Sequence, residues 1–157
     1  MTDMMLNEDY SDLLQSFVEE NVRFILVGAY AMAAHGYPRV TIDMDVWVMP
    51  AYDNAQSVMR ALVRFGAPLH DLEVEDLVRD DTVFQIGVAP CRIDLVTGVS
   101  GLHFEDAFQR AIMMQIGRET IPVMSLDDLI INKRACGRAK DIADAEELES
   151  LRDALDR

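Results

Sequence analysis

A chain of 157 residues is long enough to bury the core of one domain and short for two. With half its residues apolar and 27% charged it is neither disordered nor fibrous, and its net charge of −14 excludes a protein that grips long nucleic acid non-specifically through its phosphates. The longest nearly apolar stretch, Phe24 to Ala34, is too short to span a bilayer, and the acidic N-terminus has no apolar run of a signal peptide.

The expectation is therefore a single domain over residues 1–157, cytoplasmic and without a membrane partner. Cys91 and Cys136 are isolated from one another in sequence and read as buried free thiols, not as a disulfide framework or a zinc motif.

In chain order, Asp9 or Ser11 caps a first helix with Leu13, Leu14, Phe17 and Val18 on one face and Glu19 and Glu20 on the other; Asn21 ends it. Arg23 to Val27 reads as a buried strand closed by Gly28. A short helix over Ala29 to His35 follows, stopped by Gly36 and Pro38. Val40 to Val48 is the clearest strand, since Ile42, Met44, Val46 and Val48 alternate with Asp43, Asp45 and Trp47.

After Pro50, Asp53 to Phe65 is amphipathic, with Ala55, Val58, Met59, Leu62 and Val63 as its stripe. The acidic stretch from His70 to Asp81 carries no clear period. Thr82 to Val88 and Cys91 to Thr97 form a hairpin about Ala89-Pro90, and Gly98 and Gly101 mark a loop. A short helix over Phe104 to Arg110 precedes strands Ile112 to Ile116 and Glu119 to Met124.

Ser125 with Asp128 opens a helix in the manner of a capping box, ending near Gly137. A last helix runs from about Lys140 to Leu155 and buries Ile142, Ala145, Leu148 and Leu151. This order predicts an α/β or α+β domain, a mixed sheet flanked by helices.

The chemistry concentrates on acids. Residues two apart on a strand share a face, so Asp43 and Asp45 are neighbours on the side opposite the apolar one. Two such carboxylates repel unless a cation lies between them, and hard divalent ions, Mg²⁺ above all, take oxygen ligands of this kind. A D-x-D pair also suits the roughly 3.5–4 Å spacing of two-metal phosphoryl chemistry. A bare D-x-D is more often a pair of solvated acids.

Asp94 changes the balance, because it interrupts a second apolar strand, Arg92-Ile-Asp-Leu-Val96. If the two strands are neighbours it joins Asp43 and Asp45, as a metal ligand or as the base for an attacking hydroxyl. The alternative is an ion pair with a nearby arginine. Gly28 sits at a strand-to-helix turn, where backbone N–H groups meet phosphate oxygens. Lys133 falls on the apolar stripe of its helix and needs an anion there, either a nucleotide phosphate or a protein carboxylate. Lys133, Arg134, Arg138 and Lys140 form one local basic cluster in an acidic chain; Lys140 and Asp144 are spaced for an ordinary helical ion pair.

The run Val27-Gly-Ala-Tyr-Ala-Met-Ala-Ala-His-Gly-Tyr-Pro-Arg-Val-Thr-Ile-Asp-Met-Asp45 resembles the signature of the DNA polymerase beta-like nucleotidyltransferase superfamily. In particular it is similar to the small bacterial nucleotidyltransferases of the AbiEii abortive-infection toxin type. A lysine-bearing helix followed by Gly137-Arg-Ala-Lys-Asp141 matches their C-terminal pattern, so the resemblance spans about Phe24 to Leu151.

It implies a nucleotidyltransferase fold with Asp43 and Asp45 on two Mg²⁺ ions and Asp94 completing the triad. Gly28 and Ala29 would contact the triphosphate, and Arg39, Lys133, Arg138 and Lys140 the phosphates or the acceptor. The implied reaction is attack of an RNA or protein hydroxyl on the α-phosphate of a nucleoside triphosphate, in a toxin that pairs with an antitoxin protein. Ala29 departs from the Gly or Ser at that place; it keeps its amide N–H and lacks the hydroxyl. The competing readings are a catalytically degenerate domain that binds nucleotide or a partner, and a structural metal-binding α/β domain.

Overall fold

The computed structural model describes residues 7–37, 43–87 and 92–156. Its frame is a six-stranded mixed sheet in the order β3-β4-β2-β1-β6-β5, formed by β1 (Phe24–Val27), β2 (Met44–Val48), β3 (Val83–Ile86), β4 (Ile93–Val96), β5 (Ile112–Ile116) and β6 (Glu119–Val123). The central pair β1 and β2 is antiparallel. Each takes a parallel partner on its outer side, β4 beside β2 and β6 beside β1. Antiparallel β3 and β5 complete the edges.

Six helices accompany it: α1 (Glu8–Glu19), α2 (Gly28–Ala34), α3 (Tyr52–Phe65), α4 (Phe104–Arg110), α5 (Leu126–Cys136) and α6 (Ala139–Leu155). The expected element order and mixed sheet are thus observed.

Register decides which side chains share a face. Phe24 pairs with Val48 and Leu26 with Val46, while Met44 and Val46 lie beside Ile93 and Leu95; these make one apolar face. Phe17 of α1 closes on it, edge-on to Phe24 at 5.4 Å between ring centroids. The opposite face carries Ile25, Val27, Asp45, Trp47, Asp94 and Val96. Phe104 of α4 covers its Trp47 end, the two rings 5.3 Å apart and edge-on.

Burial on both sides explains why β1 is apolar at every position and why Trp47 is buried although it alternates in phase with the aspartates. Asn54 ties the sheet to α3: its carboxamide oxygen accepts from the Arg23 amide, and its nitrogen donates to the carbonyls of Arg23 and Met49.

Several details differ from the sequence reading. Asn7, not Asp9 or Ser11, caps α1, its side-chain oxygen accepting from the Asp9 amide at 2.8 Å; Asp9 and Ser11 already lie in the first turn. Val18 and Val63 are exposed at the margins of stripes whose centres are buried, because a helix on one layer covers only part of its circumference. In α6, Ala145 and Leu148 are buried, whereas Ile142 and Leu151 are only partly covered.

The acidic stretch holds a 3-10 helix (Val74–Val78) with reciprocal Glu73 and Asp76 caps, and its Leu77 is buried. Ser125 caps α5 by accepting from the Asp128 amide at 3.1 Å, but the Asp128 carboxylate turns away to Arg110 at 2.9 Å instead of returning a capping-box bond. Cys136 is exposed, because α5 turns that position away from the core; Cys91, the start of the Val40 strand and the Ala89-Pro90 turn lie outside the described residues. Among the described residues no helix is long and apolar enough to cross a membrane.

Candidate functional site

The parallel pairing of β2 with β4 sets Asp45 directly beside Asp94. Neighbours in register present their side chains on the same face, so two part-buried carboxylates stand together. Asp43, one residue before β2, joins them from the strand entry. Asp94 is therefore brought to Asp43 and Asp45 by strand order, the condition that the alternation of the two strands left open.

Gly28 completes the arrangement in a way its position alone did not disclose. It opens α2 with φ +68°, and a Cβ built on it would lie 2.5 Å from the Asp45 carboxylate oxygen. Any side chain here would both strain the backbone and strike Asp45. The glycine makes room for the acid. Ala29 is the next residue of α2, a helix of only two turns that His35 pins to the β6 end through Nε2 and the Met124 carbonyl, 2.8 Å apart.

The electrostatics follow from crowding. The Asp45 carboxyl is pushed up from 3.8 to about 6, chiefly by burial and then by the Asp94 and Asp43 carboxylates, with Arg92 and Lys133 opposing. Asp94 is also raised, by burial first; the Arg92 charge works against that rise. The Arg92 guanidinium reaches both flanking acids: Nη2 lies 3.2 Å from Asp43 Oδ2 and Nε 3.1 Å from Asp94 Oδ1. The second contact is close but poorly directed, and neither Nε nor Oδ1 has a hydrogen-bond partner among the described residues. The arginine pair expected as the alternative for Asp94 is therefore present. Asp45 has no ion-pair or hydrogen-bond partner among the described residues.

The donor chemistry of Asp43, Asp45 and Asp94 suits a hard divalent cation, being all carboxylate oxygen and mutually repulsive. Their present arrangement is set around an arginine. Among the described residues no three His, Cys, Asp or Glu side chains form a ready-made metal cage.

The basic cluster proves to be committed largely to protein carboxylates. Lys133, with 15% of its side chain exposed, contacts Asp144 at 3.1 Å and Asp141 at 3.6 Å. Of the two anions open to it from sequence, the structure supplies the protein one. Lys133 still lies near enough to Asp45 to favour its ionised form.

Arg138 stands at the N-terminal boundary of α6 without a side-chain capping bond and pairs with Asp141 at 2.6 Å, and Arg134 pairs with Glu149. The spacing-based Lys140–Asp144 pair does not form, since Asp144 turns to Lys133; Lys140 is exposed, with no ion pair among the described residues. Arg39 lies outside the described residues.

Sequence reasoning passed over Arg92 as a site residue. The signal was present, because Arg92 and Asp94 are two apart and so share a face. It also passed over a cavity of about 420 Å³ at the far end of β2 and β4, lined by Trp47, Asp80, Thr97, His103 and Phe104 among others. That cavity is separated from the acids by Trp47 and is not the place where they converge.

No protein-family profile matches the chain, and no curated protein matches it in sequence. Solved structures do match in shape. A Thermotoga maritima protein with a provisional nucleotidyltransferase assignment aligns with a TM-score of 0.55 at 16% identity, over 97% of this chain and 96% of its own. The lincosamide antibiotic adenylyltransferase LnuA, with lincomycin bound, aligns with a TM-score of 0.59 at 13% identity, over 93% of this chain and 98% of its own. The chain has a nucleotidyltransferase-type fold.

Proposed function

We propose that this protein transfers a nucleoside monophosphate from a nucleoside triphosphate to a hydroxyl of an RNA or protein, with Asp43, Asp45 and Asp94 as its catalytic acids. The observation that carries the reading is the register of β2 on β4, which puts Asp45 and Asp94 side by side beside a glycine that admits the Asp45 carboxylate. The fold shared with an adenylyltransferase supports it and makes ATP the first donor to test.

In this reading Asp43, Asp45 and Asp94 would hold Mg²⁺, which would supply charge neutralisation at the triphosphate. The acceptor oxygen bonds to the α-phosphorus while the bond to pyrophosphate breaks, and the hydroxyl proton passes to Asp94, which stands beside Asp45 at the site. Lys133, held by Asp141 and Asp144, adds a fixed positive charge beside Asp45.

Transfer of label from radioactive ATP, GTP, CTP or UTP in the presence of Mg²⁺ tests this, with the Asp43→Ala, Asp45→Ala double variant as the control. Labelled product from wild type alone is expected; equal signal from both proteins refutes the assignment. The similarity to toxins of the AbiEii type adds a cellular form of the test, growth arrest on expression that Asp94→Ala relieves and that a cognate antitoxin suppresses.

A second reading is favoured by Arg92, which already neutralises two of the acids: a nucleotide-binding module without turnover. Nucleotide binding by calorimetry without transfer to any acceptor would select it.

A further inference from the structure

We propose that Arg92 is a resident counter-cation of the acid cluster, holding Asp43 and Asp94 together until a divalent ion displaces it. Its backbone is anchored and its side chain is partly exposed. The Arg92 carbonyl accepts from the Tyr10 hydroxyl at 3.1 Å and from the Met44 amide at 3.0 Å, which locks the residue at the entry of β4 beside β2. From that anchor the guanidinium spans the gap between the two strands, one nitrogen on Asp43 and another on Asp94.

About a third of the side chain remains exposed, so the guanidinium borders solvent at the edge of the cluster. The contacts are also poorly made for a permanent structural pair. The Nε to Oδ1 approach at 3.1 Å lacks hydrogen-bond direction, and the second contact to Asp94, from Nη2 to Oδ2, is 3.5 Å long. A guanidinium usually meets a carboxylate with two short parallel bonds. Here it divides its contacts between two carboxylates and meets Asp94 in poor geometry, while Asp45, beside Asp94 in register, has no ion pair among the described residues.

A divalent ion would offer the carboxylate oxygens a compact double charge in place of the spread charge of the guanidinium. Metal and guanidinium then compete for the same oxygens, so Arg92 sets the divalent concentration at which the site loads. Its removal has opposite effects on the two states: the metal-free cluster loses the cation that contacts two of its acids, and metal binding no longer has to displace it.

This inference rests on the metal-dependent reading above, and calorimetry separates the two. Mn²⁺ and Mg²⁺ are titrated into wild type, Arg92→Gln and Arg92→Lys, and each protein is melted in chelator. Arg92→Gln is expected to bind the ions about tenfold more tightly than wild type and to melt lower in chelator, with the difference closing as metal is added. Arg92→Lys, which keeps the charge, should lie between them and guards against a folding defect in the glutamine variant. Wild type that binds metal while both variants bind equally or more weakly overturns the role of Arg92 and leaves the metal site standing. Wild type that binds no divalent ion overturns both.

Discussion

Replacing Asp45 with Asn should stabilise the metal-free protein at neutral pH while abolishing its proposed chemistry. Asp45 is raised from 3.8 to about 6 by burial and by its two acidic neighbours, so its ionised form is disfavoured in the folded state relative to the unfolded one. The penalty is absent below about pH 3.8, where both states hold the proton. It grows as pH rises from there and is complete above about pH 6.

At about 1.36 kcal/mol per pH unit the full penalty is about 3 kcal/mol. In a chain of this length that corresponds to roughly 6–12 °C in melting temperature. Asn conserves the shape lying against Gly28, so packing changes little.

The assay is urea or thermal unfolding of wild type and Asp45→Asn in chelator from pH 4 to pH 7.5. The two should coincide near pH 4 and separate, with the variant more stable, toward pH 7.5. Mg²⁺ should then narrow the gap by stabilising wild type. A gap that is absent at pH 7.5, reversed in sign, or constant across the range would show that Asp45 carries no charge penalty and would refute the reasoning.

Gly28→Ala should cost about 2–4 kcal/mol, from the left-handed backbone and the contact with Asp45, and the cost should shrink in an Asp45→Ala background; equal costs in both backgrounds would rule out the proposed contact. Lys133→Ala removes the ammonium set between the buried Asp141 and Asp144 carboxylates and should cost about 3 kcal/mol in chemical unfolding, partly recovered by adding Asp144→Asn; no recovery would count against the pairing. Phe104→Ala should cost about 3–4 kcal/mol and shift the emission of Trp47, the only tryptophan, to longer wavelength; unchanged emission would contradict α4 as its cover.

The alternation along Met44 to Val48 and Ile93 to Val96 announced two strands whose acids share a face, because a strand's side-chain period is a local property of the backbone. The glycine that opens α2, the helix capped by Ser125 and the lysine on its apolar stripe are local in the same sense. The stripe also foretold that Lys133 would have to find an anion. What it could not tell was which one, since Asp141 and Asp144 reach it only when α6 folds back against α5.

Asp43 and Asp45 likewise marked a carboxylate cluster from sequence alone. That Asp94 stands beside Asp45 was decided by β4 choosing β2 as its parallel neighbour, a long-range pairing that no local pattern specifies. The same pairing brought Arg92 across to Asp43, and the β1–β2 register brought Gly28 under the Asp45 carboxylate. Composition and periodicity determined which residues face the same way, because those follow from backbone geometry. Strand order determined which of them meet, and with that their charges, their raised pKa values and the seat of the arginine.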